Sequence, residues 1–298
     1  MNEIQVDVEG RLLRLSNLDK VLYPQTGTTK GEVLNYYARI APYLLPHLAD
    51  RAVTRIRWPH GVQGQSFYEK NVPSGCPRWV RTADVPTTGS RATTHDSDHL
   101  VFPIVDDLAT LTYLVNLASL ELHVHQWTVT KQGRPRKANR LVIDLDPGEP
   151  AGLHECARVA LLVRDKLAER DLATFPVTSG SKGLHLYAHL STRMDAEETT
   201  ALAKAVAEEL QAEHPKLVTA TMTKAKRSGK VFLDWSQNSG SKTTISPYSL
   251  RGREKPWVAT PRSWAEVEAG AEDEFGLEHA RFEEVLDRVE DLGDLFAG

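Results

Sequence analysis

Cysteine is scarce in this sequence, and long apolar runs are absent from it. Only two cysteines occur, Cys76 and Cys156, and no CxxC pair or Cys/His cluster has the spacing of a zinc site. No run of about 18 apolar residues is present, which excludes a membrane-spanning helix. The N-terminal residues include acids where a secretory signal needs basic and then apolar residues. We therefore expect a cytoplasmic protein with reduced cysteines and no membrane partner.

Charge is distributed unevenly along the chain. The 298 residues have a formal net charge of −4, yet residues 261–298 carry 12 acids and 3 bases, so residues 1–260 carry a net charge of +5. Residues 216–255 contain nine Lys or Arg and two acids, and residues 131–140 contain five bases and no acid. Locally basic surface of this kind is typical of a site for a polyanion, although two solvated loops would have the same composition.

Hydrophobic periodicity predicts strands that alternate with helices. Helical spacing marks four segments and the acidic tail, namely residues 30–50, 106–120, 152–170, 195–212 and the chain from Trp264 onward. Strand-like runs occupy residues 121–129, 141–145, 183–190 and 231–235. The alternation predicts an α+β (mixed α/β) architecture with a central sheet. We expect a single unit over residues 1–298, with a core of two lobes over about residues 1–260 and an acidic helical tail over residues 261–298.

Three aspartates lie on strand-like segments. Asp144 and Asp146 are two residues apart in LVIDLDPGE, so on a strand both side chains leave one face, with Cα atoms roughly 7 Å apart. Carboxylates this close repel each other unless a cation lies between them, and Mg²⁺ and Mn²⁺ prefer oxygen ligands. Asp234, in KVFLDWSQ, is a lone acid on an apolar strand, where an unpaired carboxylate is costly. Three such acids suit a site for two metal ions, whereas a DxD pair alone also occurs at ordinary strand ends and in nucleotide-sugar glycosyltransferases.

A segment rich in glycine and serine directly precedes the strand-like run at 183–190. In SGSKG, residues 179–183, two glycines let the backbone approach a phosphate, while the serines and Lys182 supply donors and positive charge. The spacing is not that of a Walker loop and no helix follows, so the segment is equally consistent with a polar turn. Gln237 and Arg251, in the basic stretch, are candidate triphosphate contacts, because the arginine fork matches phosphate geometry.

Two histidines lie on the polar faces of predicted strands. His123 shares one face with Glu121 and His125 in ELHVHQW, and this face could contact a ribose or a phosphate or be an ordinary polar surface. His185 follows the SGSKG segment and could meet a phosphate or an aspartate, although a lone strand histidine is more often structural.

Several longer segments are far more specific than these single motifs. DLDPGE, SGSKGLH and DWSQNSGSKTT, together with LDKVLYP, TGTTKGE, RWPHG, FYEK and LHVHQW, resemble the polymerase domain of bacterial ligase D, a branch of the archaeo-eukaryotic primase superfamily. The resemblance extends from about Leu18 to Trp264. It implies a two-lobed primase-like core with a central mixed sheet flanked by helices. It also implies template-dependent addition of NTPs or dNTPs to a 3′ end with two Mn²⁺ or Mg²⁺ ions, at gaps or breaks in DNA, in end joining, gap filling or priming.

The resemblance further implies roles for individual residues. The catalytic metal ligands would be Asp144, Asp146 and Asp234. The incoming nucleotide would be bound by His123, Ser179, Lys182, His185, Gln237 and Arg251, with His123 nearest the sugar. A basic pocket for a DNA 5′ phosphate would consist of Asn17, Lys20 and Lys30, which are otherwise ordinary surface residues. Phe67, otherwise a core aromatic, would stack on template bases, and Arg227 and Lys230 would reach the primer or template.

The sequence departs from the family pattern in two respects. Ile56 stands between the arginines of TRIRWP where relatives carry Lys, so one phosphate contact is expected to be missing. The sequence ends at Gly298 without an adenylation motif, so it is either a fragment or a free-standing member, and the helical tail favours the second. A free-standing member would act at the nucleoid with a separate DNA ligase and the end-binding protein Ku, or fill gaps in excision repair. The alternatives are a non-catalytic DNA-end-binding adaptor that recruits a ligase, and a DxD glycosyltransferase.

Overall fold

The computed structural model describes residues 3–86 and 99–297. The helices in these ranges are α1 (Lys30–Leu48), α2 (Leu108–Asn116), α3 (Leu153–Ala168), α4 (Ala196–Glu213), α5 (Trp264–Glu272) and α6 (Phe282–Leu292). The strands are β1 (Glu3–Val8), β2 (Arg11–Ser16), β3 (Val21–Tyr23), β4 (Thr28–Thr29), β5 (Val53–Arg57), β6 (Phe67–Glu69), β7 (Thr82–Pro86), β8 (His99–Pro103), β9 (Ser119–Val124), β10 (Trp127–Val129), β11 (Pro135–Pro147), β12 (Thr174–Thr178), β13 (Leu184–Met194), β14 (Val218–Thr219), β15 (Val231–Asp234), β16 (Thr244–Ile245) and β17 (Thr260–Pro261). The predicted α+β fold class is confirmed.

The helices begin at capping residues that are visible in the sequence. Thr29 caps α1, because its hydroxyl accepts from the backbone N of Glu32 while the Glu32 carboxylate accepts from the backbone N of Thr29. The Asp107 carboxylate accepts from the backbone N of Thr110 at the start of α2. α2 ends at Asn116 and is therefore shorter than predicted, whereas the ends of α1, α3 and α4 lie within two residues of the prediction.

The larger sheet has seven strands and contains the predicted aspartates. Its order is β14–β15–β11–β13–β12–β17, and β10 pairs with β11 beside this path. β14 and β15 are parallel, and the other neighbours are antiparallel, so the sheet is mixed as predicted. β11 is much longer than the predicted run at 141–145, because the basic residues before it also pair. β12 was not predicted, since it is short and contains Pro176.

The smaller sheet has four antiparallel strands in the order β16–β9–β5–β6. The predicted single run at 121–129 is in fact two strands, β9 in the smaller sheet and β10 in the larger one. The chain therefore passes from one sheet to the other at His125 and Gln126. This crossing brings His123, near the end of β9, close to the strands that contain the aspartates.

Two large apolar cores support the two sheets. α3 and α4 pack against β11 in the first core, and α1 and α2 pack with β5, β9 and α6 in the second. Val285 and Val289 of α6 belong to the second core, and Phe296 packs with Tyr187 in a small third cluster. Residues of the acidic tail are thus part of the packed interior. The boundaries of the lobes and of the tail stay a prediction.

No helix in the described part of the chain is long and apolar enough to cross a membrane.

Candidate active site

The three predicted aspartates lie on adjacent strands of the larger sheet. Asp144 of β11 is directly opposite Asp234 of β15, and Asp146 is two residues further along β11. On the other side, Asp144 is opposite His185 of β13, whose Nε2 lies 3.3 Å from Oδ1 of Asp144. The Gln237 side chain donates through Nε2 to Oδ2 of Asp234 at 3.0 Å and to Oδ2 of Asp144 at 3.5 Å. Strand register therefore brings together all three acids and two of the predicted nucleotide contacts.

The electrostatics of this group favours a bound cation. Asp146 is exposed, yet partial desolvation and the negative charges of Asp144 and Asp234 raise its pKa to about 6. The Asp234 carboxylate accepts from the hydroxyl of Ser236 at 2.5 Å. Across residues 3–86 and 99–297, no three His, Cys, Asp or Glu side chains are already arranged as a metal cage. The donors nevertheless fit Mn²⁺ or Mg²⁺, because these ions prefer carboxylate oxygens and would relieve the mutual repulsion.

A solvent-open cleft of about 280 Å³ lies beside these strands. Asp144 and Asp146 line it together with the whole predicted nucleotide-binding set, namely His123, Ser179, Lys182, His185, Gln237 and Arg251. Ser181 and Arg253 also line the cleft and were not predicted. Asp234 is 9% exposed and is not part of the lining. Carboxylates for a cation and donors for phosphate thus share one cleft.

Glu121 joins two of the predicted nucleotide contacts. Nε2 of His123 lies 2.7 Å from Oε2 of Glu121, and Nη1 of Arg251 lies 3.4 Å from the same oxygen. The backbone N of Gly252 donates to Oε1 at 2.9 Å. Burial alone would raise the pKa of Glu121, but the hydrogen bond from His123 and the charge of Arg251 lower it to about 2. Glu121 was not a predicted site residue, although its period-two spacing from His123 was the available signal.

Residues 179–183 form a tight turn between β12 and β13. The hydroxyl oxygen of Ser179 accepts from the backbone N of Ser181 and of Gly183, each at 3.2 Å. A Cβ added at Gly183 would lie 1.9 Å from the carbonyl oxygen of Leu145, the residue between the two aspartates of β11. Only glycine therefore lets this turn contact the aspartate strand. Lys182 is exposed, with Nζ 3.2 Å from Oε1 of Glu149.

Residues of the acidic tail support this turn. Arg262 donates through Nε to the hydroxyl oxygen of Thr178 at 3.3 Å and through Nη2 to the carbonyl oxygen of Glu278 at 2.6 Å. The ring of His279 lies beside the backbone of Ser181, and burial beside Arg262 lowers the pKa of this ring to about 4. Neither Arg262 nor His279 was predicted, because no motif links the tail to a turn 84 residues earlier in the chain.

The residues predicted to bind a 5′ phosphate lie together at the start of α1. The backbone N of Lys20 donates to the carbonyl oxygen of Asn17 at 3.1 Å, and the backbone N of Lys30 donates to that of Lys20 at 2.8 Å. Lys30 is 4% exposed, and its Nζ donates to the carbonyl oxygen of Ser16 at 2.6 Å. Burial and the charge of Lys20 lower the pKa of Lys30 to about 8. An anion would stabilise these two ammonium groups, whose charges repel each other.

Of the predicted DNA-contacting residues, Phe67 lies on an edge strand, and Arg227 and Lys230 lie in the turn before β15. Phe67 is 40% exposed on the edge strand β6, so it is not a core aromatic. Arg227 lies over the ring of Phe232 at 3.6 Å. The backbone N of Gly148, just after β11, donates to the carbonyl oxygen of Lys230 at 2.8 Å. The turn that contains Arg227 and Lys230 therefore lies beside the end of the strand that carries Asp144 and Asp146. Ile56 pairs with Tyr68 across β5 and β6.

Two further side chains differ from the sequence-based interpretation. Lys242 donates to the hydroxyl of Ser236 and lies 3.8 Å from Oδ2 of Asp234, although it was not predicted to be near the site. His125 does not share the polar face with His123. It packs against Trp127 in the core with ring centroids 4.2 Å apart, and burial lowers its pKa to about 3. The period-two alternation fails there because β9 ends at Val124.

A model of the LigD primase-polymerase domain matches residues 29–296 of this chain. The chain belongs to this family. It is 49% identical over 285 residues to the multifunctional non-homologous end joining protein LigD of Mycolicibacterium smegmatis, a match that covers 96% of the chain and 36% of that protein. It is 33% identical over 284 residues to the bifunctional non-homologous end joining protein LigD of Bacillus subtilis, which covers 94% of the chain and 43% of that protein.

A solved structure in the same family shares the fold. The polymerase domain of Mycobacterium tuberculosis ligase D in complex with DNA superimposes with a TM-score of 0.87 and 49% identity, over 95% of this chain and 96% of that one. The chain spans about a third of the length of the mycobacterial LigD proteins that it matches, 36% in M. smegmatis. The LigD resemblance is thereby confirmed, and the chain is a primase-polymerase domain of the nucleotidyltransferase class. This membership favours a polymerase over a DxD glycosyltransferase.

Proposed function

We propose that this LigD-type domain copies a template by adding NTPs or dNTPs to a 3′ end at a gap or break in DNA. The observation that carries the proposal is the composition of the cleft. Asp144 and Asp146 lie on one strand, the turn at residues 179–183 contacts that strand, and Arg251 lines the same space. Nucleotidyl transfer needs this combination of oxygen ligands for cations and donors for phosphate within one site.

The carboxylates would hold the metal ions. Asp144, Asp146 and Asp234 are the proposed ligands of two Mn²⁺ or Mg²⁺ ions. When bound, these ions supply the positive charge that activates the 3′ oxygen and stabilises the leaving pyrophosphate. His185 and Gln237 restrain the Asp144 carboxylate, which reduces the reorganisation needed for ligation.

The remaining cleft residues would bind the nucleotide. Ser179, Lys182 and Arg251 would hold the triphosphate, with the turn backbone close to it, and His123 would face the sugar. At the start of α1, Asn17, Lys20 and Lys30 would bind the 5′ phosphate on the downstream side of the gap. Phe67 would stack on template bases, while Arg227 and Lys230 would contact primer or template. The solved relative is a complex with DNA, which supports DNA as the partner.

The biological setting follows from the relatives. Because the matched proteins are named for non-homologous end joining, we propose that the domain fills gaps at broken ends before ligation. Its partners would be gapped or broken DNA with a 5′ phosphate, a DNA ligase and Ku, and this work would take place at the nucleoid in the cytoplasm.

The decisive experiment is extension of a labelled primer on a short gapped duplex. The assay compares NTPs with dNTPs and Mn²⁺ with Mg²⁺, using the wild-type protein and Asp144→Ala/Asp146→Ala. We expect metal-dependent extension that falls by about 10³-fold or more in the variant, with DNA binding retained. The matched control, Asp165→Ala/Glu169→Ala, removes two exposed carboxylates near the C-terminal end of α3 and should leave extension unchanged.

The outcomes separate the candidate functions. DNA binding without extension under any metal or nucleotide would identify a DNA-end-binding adaptor that recruits a ligase. Extension that survives in Asp144→Ala/Asp146→Ala would place the chemistry elsewhere.

A further inference from the structure

Glu121 is almost completely buried, and it contacts two residues that line the cleft, His123 and Arg251. It is 4% exposed on β9, with His123 and Arg251 on one carboxylate oxygen and the backbone N of Gly252 on the other. The backbone of Arg251 is held from a second direction, because the hydroxyl of Tyr23 donates to its carbonyl oxygen at 2.8 Å. One carboxylate therefore controls the orientation of two side chains that line the cleft.

This carboxylate also determines which nitrogen of His123 carries the proton. An ionised carboxylate only accepts hydrogen bonds, so Nε2 of His123 must be the donor in their 2.7 Å contact. Burial lowers the pKa of His123 below its usual range, although Glu121 opposes that shift, and this direction favours the neutral ring. A neutral ring with a proton on Nε2 has a bare Nδ1. Among the residues that the structure describes, Nδ1 has no hydrogen-bond partner.

His123 lines the cleft, and a bare nitrogen of its ring can only accept a hydrogen bond. The phosphate oxygens of a nucleoside triphosphate are acceptors near neutral pH, so they are poor partners for Nδ1. The sugar hydroxyls are donors and are its natural partners. Arg251, in contrast, has only donors and suits the triphosphate.

We infer that Glu121 is a positioning residue that presents the bare Nδ1 of His123 to a sugar hydroxyl of the incoming nucleoside triphosphate and holds Arg251 for its phosphates. The identity of the ligand rests on the proposed function. Because one buried carboxylate restrains both side chains, discrimination between sugars and affinity for the triphosphate are linked through it.

The first test is the protonation of the His123 ring, measured by ¹⁵N NMR at pH 7 with His123→Ala for assignment. We expect a proton on Nε2 and a bare Nδ1 in the wild-type protein. In Glu121→Gln the amide can donate or accept, so the ring is expected to exchange between its two neutral forms. A purely structural role for Glu121 would not change this signal in a folded variant.

The second test is equilibrium binding of ATP, 2′-deoxy-ATP and 3′-deoxy-ATP with Mn²⁺ and without a primer, so that no turnover occurs. The wild-type protein should bind the analogue that lacks the contacted hydroxyl about tenfold more weakly than ATP. The analogue that loses affinity identifies which hydroxyl is contacted.

In Glu121→Gln this ratio should fall towards one, and all three nucleotides should bind several-fold more weakly because Arg251 loses its restraint. The ratio of Glu121→Gln/His123→Ala should equal that of His123→Ala, because the two residues act through one contact. The control Glu209→Gln removes a carboxylate that pairs with Arg170 outside the cleft, and it should match the wild type.

A proton on Nδ1, or on both nitrogens, in the wild-type ring overturns the inference without any variant. If the ratio of ATP affinity to deoxy-analogue affinity is unchanged in Glu121→Gln, and all three nucleotides bind equally more weakly, Glu121 has only a structural role. Neither ring protonation nor nucleotide binding depends on turnover. A failure of primer extension on gapped DNA would therefore contradict the proposed polymerase function without contradicting the role of Glu121.

Discussion

The cleft holds carboxylates in two opposite electrostatic settings. Asp146 is an exposed residue beside Asp144 and near Asp234, and partial desolvation with these like charges raises its pKa to about 6. Glu121 is buried, but the hydrogen bond from His123 and the charge of Arg251 lower its pKa to about 2. The same functional group is thus uncompensated on the larger sheet and fully compensated on the smaller one.

The difference separates two tasks of the site. A group that must accept cations keeps unpaired oxygens, and the folded protein tolerates their repulsion until the cations bind. A group that must present the same surface to every nucleotide is better fixed by its own hydrogen bonds. Under the proposed function, Asp146 therefore suits the metal-binding part of the cleft, and Glu121 suits a positioning role.

The largest effect is expected for Asp146→Asn, in which activity and stability should change in opposite directions. Nucleotide incorporation should fall by about 10³-fold or more, because a proposed metal ligand is lost. The metal-free protein should become more stable by less than about 1 kcal/mol, because one repelling charge is removed while solvent screens this exposed carboxylate. Primer extension and urea unfolding in EDTA measure the two effects, with Asp165→Asn as the surface control. A less stable Asp146→Asn protein would show that neighbouring cations already compensate the aspartates.

Glu121→Gln should have the opposite effect on stability. The change leaves Arg251 without its charged partner inside the protein, so we expect a loss of about 2 kcal/mol at pH 7. The folded pKa of about 2 lies below the ordinary value of 4.5, so this carboxylate stabilises the fold above pH 4.5, and its contribution is lost as pH falls towards 2. Urea unfolding at pH 7 and pH 3 should therefore show a smaller difference between wild type and variant at pH 3. An equal difference at both values would contradict the electrostatic explanation.

Lys30 is a buried positive charge, and its lowered pKa predicts a pH dependence of DNA binding. Its folded pKa of about 8 means that the ammonium is charged at pH 7 and largely neutral at pH 9. Affinity for gapped DNA with a 5′ phosphate should fall by about tenfold over this range, since the phosphate itself stays dianionic. Titration of the same duplex with a 5′ hydroxyl should show a much flatter dependence. If the two duplexes respond alike, Lys30 does not bind the phosphate.

The smallest effect is expected for the tail. His279→Ala removes the ring that contacts the backbone of Ser181, so the turn should hold the triphosphate less firmly. We expect KM for the nucleotide to rise by about two- to fivefold, on the scale of one neutral hydrogen bond, with little change in kcat. His279→Gln should restore part of the affinity. A change in kcat alone would show that the tail acts on the chemistry rather than on binding.

Local sequence patterns predicted what depends on local geometry. The helix ends follow from caps such as Thr29 and Asp107, and the shared face of Asp144 and Asp146 follows from the period of a strand. The family resemblance supplied the cleft residues and the fold class, although the individual roles of those residues stay predictions.

Contacts between distant segments could not be predicted in this way. Gly252 and Glu121 are 131 residues apart, and no local pattern links the second to the first. The environment of His125 was misjudged for a related reason, because alternation along a strand does not show where the chain leaves one sheet for another. Burial and pairing across such distances are properties of the folded chain.

Gly183 sets how much sequence change this cleft can accept. A single methyl group at that position would meet the carbonyl oxygen of Leu145 at 1.9 Å, so every larger residue must separate the phosphate-side turn from the aspartate strand. The neighbouring Lys182, in contrast, is exposed and sterically free to vary. A randomised library over residues 179–183, screened for soluble folded protein, should therefore contain varied residues at 182 and glycine alone at 183. No substitution at position 183 is therefore expected to be neutral.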